Sequence, residues 1–177
     1  MTDTRTRILD LAEGFTQSKG FNNFSYLDLA AEIGVKNSSI HYHFKAKKDL
    51  ALALVERIRE THAKACSDFD HHFETPQQRL AALVAHFKSY VQNEKICMCG
   101  MMAAEFQTVS CEVRKALSLY FRDMRAWLAK QFVQMKDPNP EDRALQFLSG
   151  LEGSVLLARL EAEPNLVDRS LDVFVSS

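Results

Sequence analysis

Two short stretches hold most of the side chains that can do chemistry. The first, GVKNSSIHYHFKAKK at residues 34–48, carries four lysines (36, 45, 47 and 48) and two histidines (41 and 43) and no acidic residue. Asn37, Ser38, Ser39 and Tyr42 add neutral donors and acceptors. A face with donors, acceptors and positive charge, and nothing to repel phosphate, suits the backbone and base edges of DNA. An ordinary solvated helix face would have the same composition. The second stretch, ICMCGMMAAEF at residues 96–106, concentrates sulfur. Three chemistries fit it. Cys97, Cys99 and Cys111 could sense oxidants or electrophiles, because a thiol at a helix N-terminus ionises more readily. Met98, Met101, Met102 and Phe106 could line a pocket for an apolar or aromatic ligand. Cys-x-Cys with His71, His72 or His86 could bind a metal, but the spacing matches no structural zinc pattern, and no metal or cofactor is expected. Cys and Met also simply fill cores.

An enzyme using a Cys nucleophile would need a base and an orienting acid. No Cys–His–acid set stands at recognisable spacing, and no Gly-rich loop could cradle phosphate, so no enzymatic activity is expected.

The rest of the chain must position these groups. It has 177 residues, 46% apolar and 25% charged, with a net charge of −1. Bulk charge therefore does not advertise nucleic acid, but its distribution does. Residues 1–50 carry seven basic and six acidic side chains, and the remainder carries 15 and 17. The positive charge is focused on one segment, as an electrostatic footprint requires. No apolar run reaches the length of a membrane span and the N-terminus lacks a signal-peptide core, so a cytoplasmic protein with four free thiols is expected.

Helical periodicity recurs and strand signals are nearly absent, so the fold class is all-α. Ile8, Leu11, Ala12 and Phe15 share one helix face, closed by Gly20. Ser25 caps a second short helix with Asp28 in its first turn, and Leu29, Ala30 and Ile33 face inward. Gly34 ends it. A third helix follows within a few residues, with Ile40 and Phe44 inward. A longer helix starts near Lys47 and runs through Leu50, Leu54 and Ile58, with a loop over residues 70–75. Pro76 opens the next, which buries Leu80, Leu83, Val84, Phe87 and Val91. A short helix is expected after Gly100. A long one follows with a stripe of Val113, Leu117, Phe121, Met124, Leu128, Phe132 and Met135, widened by Tyr120 and Trp127. The last long helix is apolar or small on nearly every side from Ala144 to Leu160, and Gly150, Gly153 and Ser154 would let another helix approach. Such all-round apolarity calls for a partner chain. A short helix through Leu171 and Phe174 ends the chain. The expected domains are a three-helix DNA-binding unit over residues 1–46 and a larger helical unit over 47–177.

Two helices joined by a short Gly-containing turn form a helix-turn-helix, whose second helix enters the major groove. The segments AEGFTQSKGF and SYLDLAAEIGVKNSSIHYHFKAKKDL carry the landmarks of the tetracycline-repressor (TetR) family in order and spacing. Residues 5–55 resemble that family's DNA-binding domain. Ser25 replaces the usual Thr, Lys36 a common Ser, Asn37-Ser38 a frequent Lys-Gly, and His41 the usual Tyr. The resemblance implies a homodimeric regulator, most often a repressor, that binds a palindromic double-stranded DNA operator and is released by a small molecule. By position, Ser25, Tyr42 and Lys47 would contact the DNA backbone. Lys36, Asn37, Ser38, Ser39 and His41 would read bases. The family's ligand pocket would be lined by Phe87, Met101, Met102, Phe106 and Trp127, and its dimer interface by Phe147, Leu151 and Val155. The segment from Cys97 through Gly100 and Ala103 to Glu105 resembles a C-x-x-G-x-x-A-x-E stretch of one subgroup, which keeps a thiol-sensing regulator as the alternative.

Overall fold

The computed structural model describes residues 3–175, which form nine α-helices and no strand. They are α1 Thr4–Lys19, α2 Tyr26–Ile33, α3 Asn37–His43, α4 Lys47–His72, α5 Pro76–Gln92, α6 Met98–Ala104, α7 Cys111–Gln134, α8 Pro140–Leu160 and α9 Asn165–Val175. The chain divides into two compact units. One takes residues 1–59 with 98–118, the other 60–97 with 119–177. This division differs from a cut at residue 46. The first half of α4, α6 and the start of α7 belong with the N-terminal helices.

In the first unit the helix boundaries follow local chemistry. Ser25 Oγ accepts from the Asp28 backbone N–H while the Asp28 carboxylate accepts from the Ser25 N–H, so both α2 N-terminal donors are satisfied. Gly34 takes the left-handed conformation (φ 76°) that closes α2. Arg7 donates to the Ile33 carbonyl at 2.8 Å and holds that end to α1. Ile40 and Phe44, one turn apart on α3, are buried, as are Ile8, Leu29 and Leu50.

In the second unit a Thr75–Gln78 capping box and Pro76 start α5. Phe132 of α7, Phe147 of α8 and Phe174 of α9 form a triangle with centroids 5.4–6.1 Å apart. Helix α9 comes close to α8 at Gly150, where an added Cβ would lie 3.3 Å from Leu171 Cδ2; at Gly153 it would meet nothing within 4 Å. Three expectations shift. Helix α4 continues to His72, past the start of the expected loop. Helix α6 begins at Met98, so Gly100 lies inside it. On α7 Tyr120 is buried along with Phe132, and Phe121 is only half-buried.

The dimer-interface expectation needs a correction. Phe147, Leu151 and Val155 are buried within the chain itself, so they have no surface for a partner. The side of α8 that packs on α5 and α9 claims them. The apolar residues left outside are Leu145, Leu156, Leu157 and Leu160 on α8 and Val173 on α9.

Candidate nucleic-acid interface

Helix α3 is anchored from below and presented above. With Ile40 and Phe44 turned inward, Lys36, Ser38, His41, Tyr42 and Lys45 are exposed, Tyr42 at 83%. Ser39 and Asn37 are half-buried. Ser38, Ser39, Tyr42 and His43 border a shallow groove with Thr4 and Val35. No acidic side chain interrupts this surface between Ile33 and Asp49. An exposed aromatic hydroxyl among lysines and serines has no packing role to explain it. It can donate to a phosphate oxygen or stack against a sugar.

Support comes from α2. The His41 ring meets the Tyr26 ring edge-on at 4.9 Å, which fixes the histidine. The Tyr26 hydroxyl is buried without a hydrogen-bond partner, and burial pushes its pKa up to about 12. Asn37 Oδ1 is likewise buried and unpartnered. The bidentate pairing of Asn with adenine would need that amide to turn outward first.

Two expected backbone contacts are placed differently. Lys47 points inward: its Nζ donates to the Phe24 carbonyl at 2.5 Å and lies over the Phe21 and Phe24 rings, 4.9 and 4.7 Å from their centroids. Burial lowers its pKa, while Glu105 and Asp28 oppose that fall. Lys47 is therefore an internal tie rather than a phosphate ligand, because the carbonyl at the α2 entrance and two aromatic faces hold it more closely than solvent would. Ser25 is exposed, but its hydroxyl is already engaged with Asp28, whose pKa the Ser25 backbone and side-chain hydrogen bonds lower. Lys47→Ala should accordingly lower the melting temperature and leave the salt slope of DNA binding unchanged. Lys45→Ala should leave stability alone and flatten the slope by roughly 0.9. Titrations at several salt concentrations check both, and a reduced slope for Lys47→Ala would reverse the assignment.

Glu105 was legible only as a motif letter. It sits beside the α1–α2 corner. Its Oε2 accepts from Asn22 Nδ2 at 2.8 Å, and the same amide donates to Thr108 Oγ1 at 2.6 Å. A Cβ on Gly20 would lie 2.6 Å from Glu105 Oε1.

The expected pocket residues are divided between the two units. Phe87 and Trp127 belong to one compact unit, and Met101, Met102 and Phe106 to the other. Met102 is buried and Met101 half-buried. Phe106 is 53% exposed and lies under the Arg114 guanidinium, so it lines no pocket within its own unit; the turn after α6 swings it outward. Trp127 donates from Nε1 to Asp70 at 3.0 Å, at the unit's polar rim. Phe87 is fully buried against His62, His86 and Tyr90. His62, Tyr90 and Glu152 were not singled out from sequence, and Tyr120 was read only as part of an apolar stripe. Of the thiol candidates, Cys97 and Cys99 are buried and Cys111 is exposed at the start of α7. No group of three or more potential metal ligands occurs among the described residues.

Comparison with known proteins agrees with this geometry. Residues 8–54 match the family model described as bacterial regulatory proteins, tetR family. A TetR transcriptional regulator from Legionella pneumophila superimposes with a TM-score of 0.93 at 28% identity, over 98% of this chain and 96% of that one. An HTH-type transcriptional regulator of Lactococcus lactis subsp. lactis is 22% identical over 100% of this chain and 94% of its own length. The regulator TtgR of Pseudomonas putida is 33% identical over 60 residues, 34% of this chain and 29% of its own. The fold and the α3 surface thus define a helix-turn-helix DNA-binding transcriptional regulator, not an enzyme. Residues 8–54 form a DNA-binding domain of the tetR family, and the whole chain shares the fold of a TetR transcriptional regulator. No helix among the described residues is long and apolar enough to cross a membrane.

Proposed function

We propose that the protein is a ligand-released repressor acting in the cytoplasm. Residues 1–46 read a palindromic double-stranded operator. Residues 47–177 hold a small-molecule effector and join two copies of the chain. The observation that carries this reading is the acid-free outward face of α3, with Lys36, Ser38, His41, Tyr42 and Lys45 exposed over a buried Ile40–Phe44 anchor. Selecting bound fragments from a genomic library, then footprinting, tests it. Two protected half-sites with two-fold symmetry and steep salt dependence are expected. Salt-independent or absent binding would overturn it.

The dimer rests on α8 and α9. Leu145, Leu156 and Leu160 repeat along one side of α8, Leu160 at 82% exposure, and Val173 is exposed on α9. A second copy placed there would bury this stripe by a two-fold axis and present two recognition helices together. Leu156→Glu combined with Leu160→Glu should give a monomer in sedimentation velocity. Operator affinity should then fall about 10²–10⁴-fold, the avidity of paired half-sites. A dimer that survives this double change would move the interface elsewhere.

A further inference from the structure

A chain of buried and half-buried polar groups crosses the second unit. His86 Nε2 lies 3.0 Å from the Tyr90 hydroxyl, which lies 3.1 Å from His62 Nε2. His62 Nδ1 lies 2.7 Å from the Tyr120 hydroxyl, and that oxygen lies 3.8 Å from Cys97 Sγ. The Cys97 thiol in turn hydrogen-bonds the Glu152 carboxyl. With both histidines neutral and Glu152 ionised, one polarity satisfies every link. His86 N–H donates to Tyr90, Tyr90 O–H to His62, His62 N–H to Tyr120, Tyr120 O–H to Cys97 and Cys97 S–H to Glu152. Every donor in the chain points toward the carboxylate. There the chain stops: Glu152 Oε1 is buried and accepts no hydrogen bond.

A terminal acceptor of this kind is unusual in a protein interior, where polar atoms are satisfied. No lysine or arginine offsets its charge: the one influence that opposes burial is the Cys97 hydrogen bond. The chain also runs among aromatic faces. The His62 ring lies 5.3–5.7 Å from the rings of His86, Phe87 and Tyr120. A buried carboxylate oxygen that accepts no hydrogen bond, at the end of a polar chain that passes aromatic rings, recognises one chemistry above others, a cationic nitrogen on an apolar or aryl body.

Building on the effector-release reading, we propose that the effector is a lipophilic amine whose protonated nitrogen docks on Glu152 Oε1. The ammonium supplies both the missing donor and the missing positive charge. The chain from Cys97 back to His86 keeps the carboxylate's other oxygen satisfied and holds Glu152 facing its ligand. A neutral or anionic molecule of the same shape lacks the charge or adds a repulsive one.

The test uses three probes matched in ring and chain: 2-phenylethylammonium, 2-phenylethanol and 3-phenylpropanoate. Calorimetry with the full-length protein, in buffers of differing ionisation enthalpy, reads affinity and proton release together. The ammonium should bind at least tenfold more tightly than the alcohol, and the carboxylate most weakly. Near neutral pH its binding should release a fraction of a proton, as Glu152 is driven to the ionised form. In Glu152→Gln the ammonium preference and the proton release should both vanish, whereas Glu152→Asp should retain the preference in weakened form. Equal binding of ammonium and alcohol, no ammonium binding at millimolar concentration, or a preference that survives Glu152→Gln would overturn the proposal. So would a Glu152→Gln protein that becomes monomeric, since the missing cation would then come from the second copy. Operator binding measured beside these titrations separates the two readings. Ammonium binding through Glu152 with no loss of DNA affinity would sink ligand release and leave the site standing. Release by compounds without a cation would sink the site's assignment and leave ligand release standing.

Discussion

Gly20→Ala is expected to be far more damaging than one methyl group suggests. Gly20 has φ 95° and ψ 151°, a region open essentially to glycine alone, and holding another residue there costs about 1–3 kcal/mol. The new Cβ would also lie 2.6 Å from Glu105 Oε1. Glu105 must then retreat from Asn22, losing the 2.8 Å hydrogen bond and the 3.4 Å contact with the Asn22 backbone N–H. Net losses of about 0.5–1.5 kcal/mol per hydrogen bond add to the backbone strain. Urea melts of Gly20→Ala, Glu105→Ala and the double variant separate the two contributions. The alanine should cost less in the Glu105→Ala background, because only the backbone part remains there. An identical cost in both backgrounds would mean that Glu105 swings aside freely. DNA affinity should fall in the same order as stability. The α1–α2 corner that Glu105 braces also holds Phe24, whose carbonyl receives Lys47 at the start of α4.

This corner marks where the sequence is legible and where it is not. The recognition unit could be read because its determinants are local. Ser25 with Asp28, Gly34, and Ile40 with Phe44 each act within a few residues, and each appears as expected. Glu105 is different. Its partner Asn22 lies 83 residues away, and no periodicity links them. Lys47 misled for a related reason: a lysine at the mouth of a DNA-binding helix looks like a phosphate ligand until Phe21 and Phe24 fold beneath it. On α8 the apolar excess was real, but periodicity could not say which side the chain would keep. Phe132 and Phe174 settle that by enclosing Phe147, and the leucines on the other side stay outside. The polar chain was hidden because Tyr120 counts as apolar in a helical stripe. His62 likewise occupies a core position one turn beyond Ile58 and one turn before Cys66.

That polar chain should give the protein an unusually level acid stability profile, which one substitution would tilt. Burial, reinforced by the neighbouring His86, lowers the His62 pKa from 6.5 to about 4, and burial lowers His86 as well. Above pH 6.5 these rings are neutral folded or unfolded. As pH falls from 6.5 toward 4 the unfolded chain takes up protons first, so stability is lost across that window. Glu152 works in the opposite sense. Burial raises its pKa from 4.5 to about 7, against the Cys97 hydrogen bond. The folded state then binds the proton more tightly, so its contribution is complete below pH 4.5 and disappears as pH rises through 7. A shift of this size corresponds to roughly 3 kcal/mol for each group, at 1.36 kcal/mol per pH unit. From pH 6.5 down to 4.5 the gain at Glu152 opposes the loss at the histidines. Burial pushes the Cys66 thiol, on the same helix as His62, up to about 12, so it stays protonated across this window. The lowered carboxylates of Asp28, Glu112 and Asp137 act only at lower pH. Urea melts every half pH unit should therefore show a nearly level wild type. Glu152→Gln should lose stability on acidification through the same window, and His62→Phe should gain it. If wild type and Glu152→Gln fall together, Glu152 is ionised and already paired in the folded protein, and the vacancy at its Oε1 does not exist in solution.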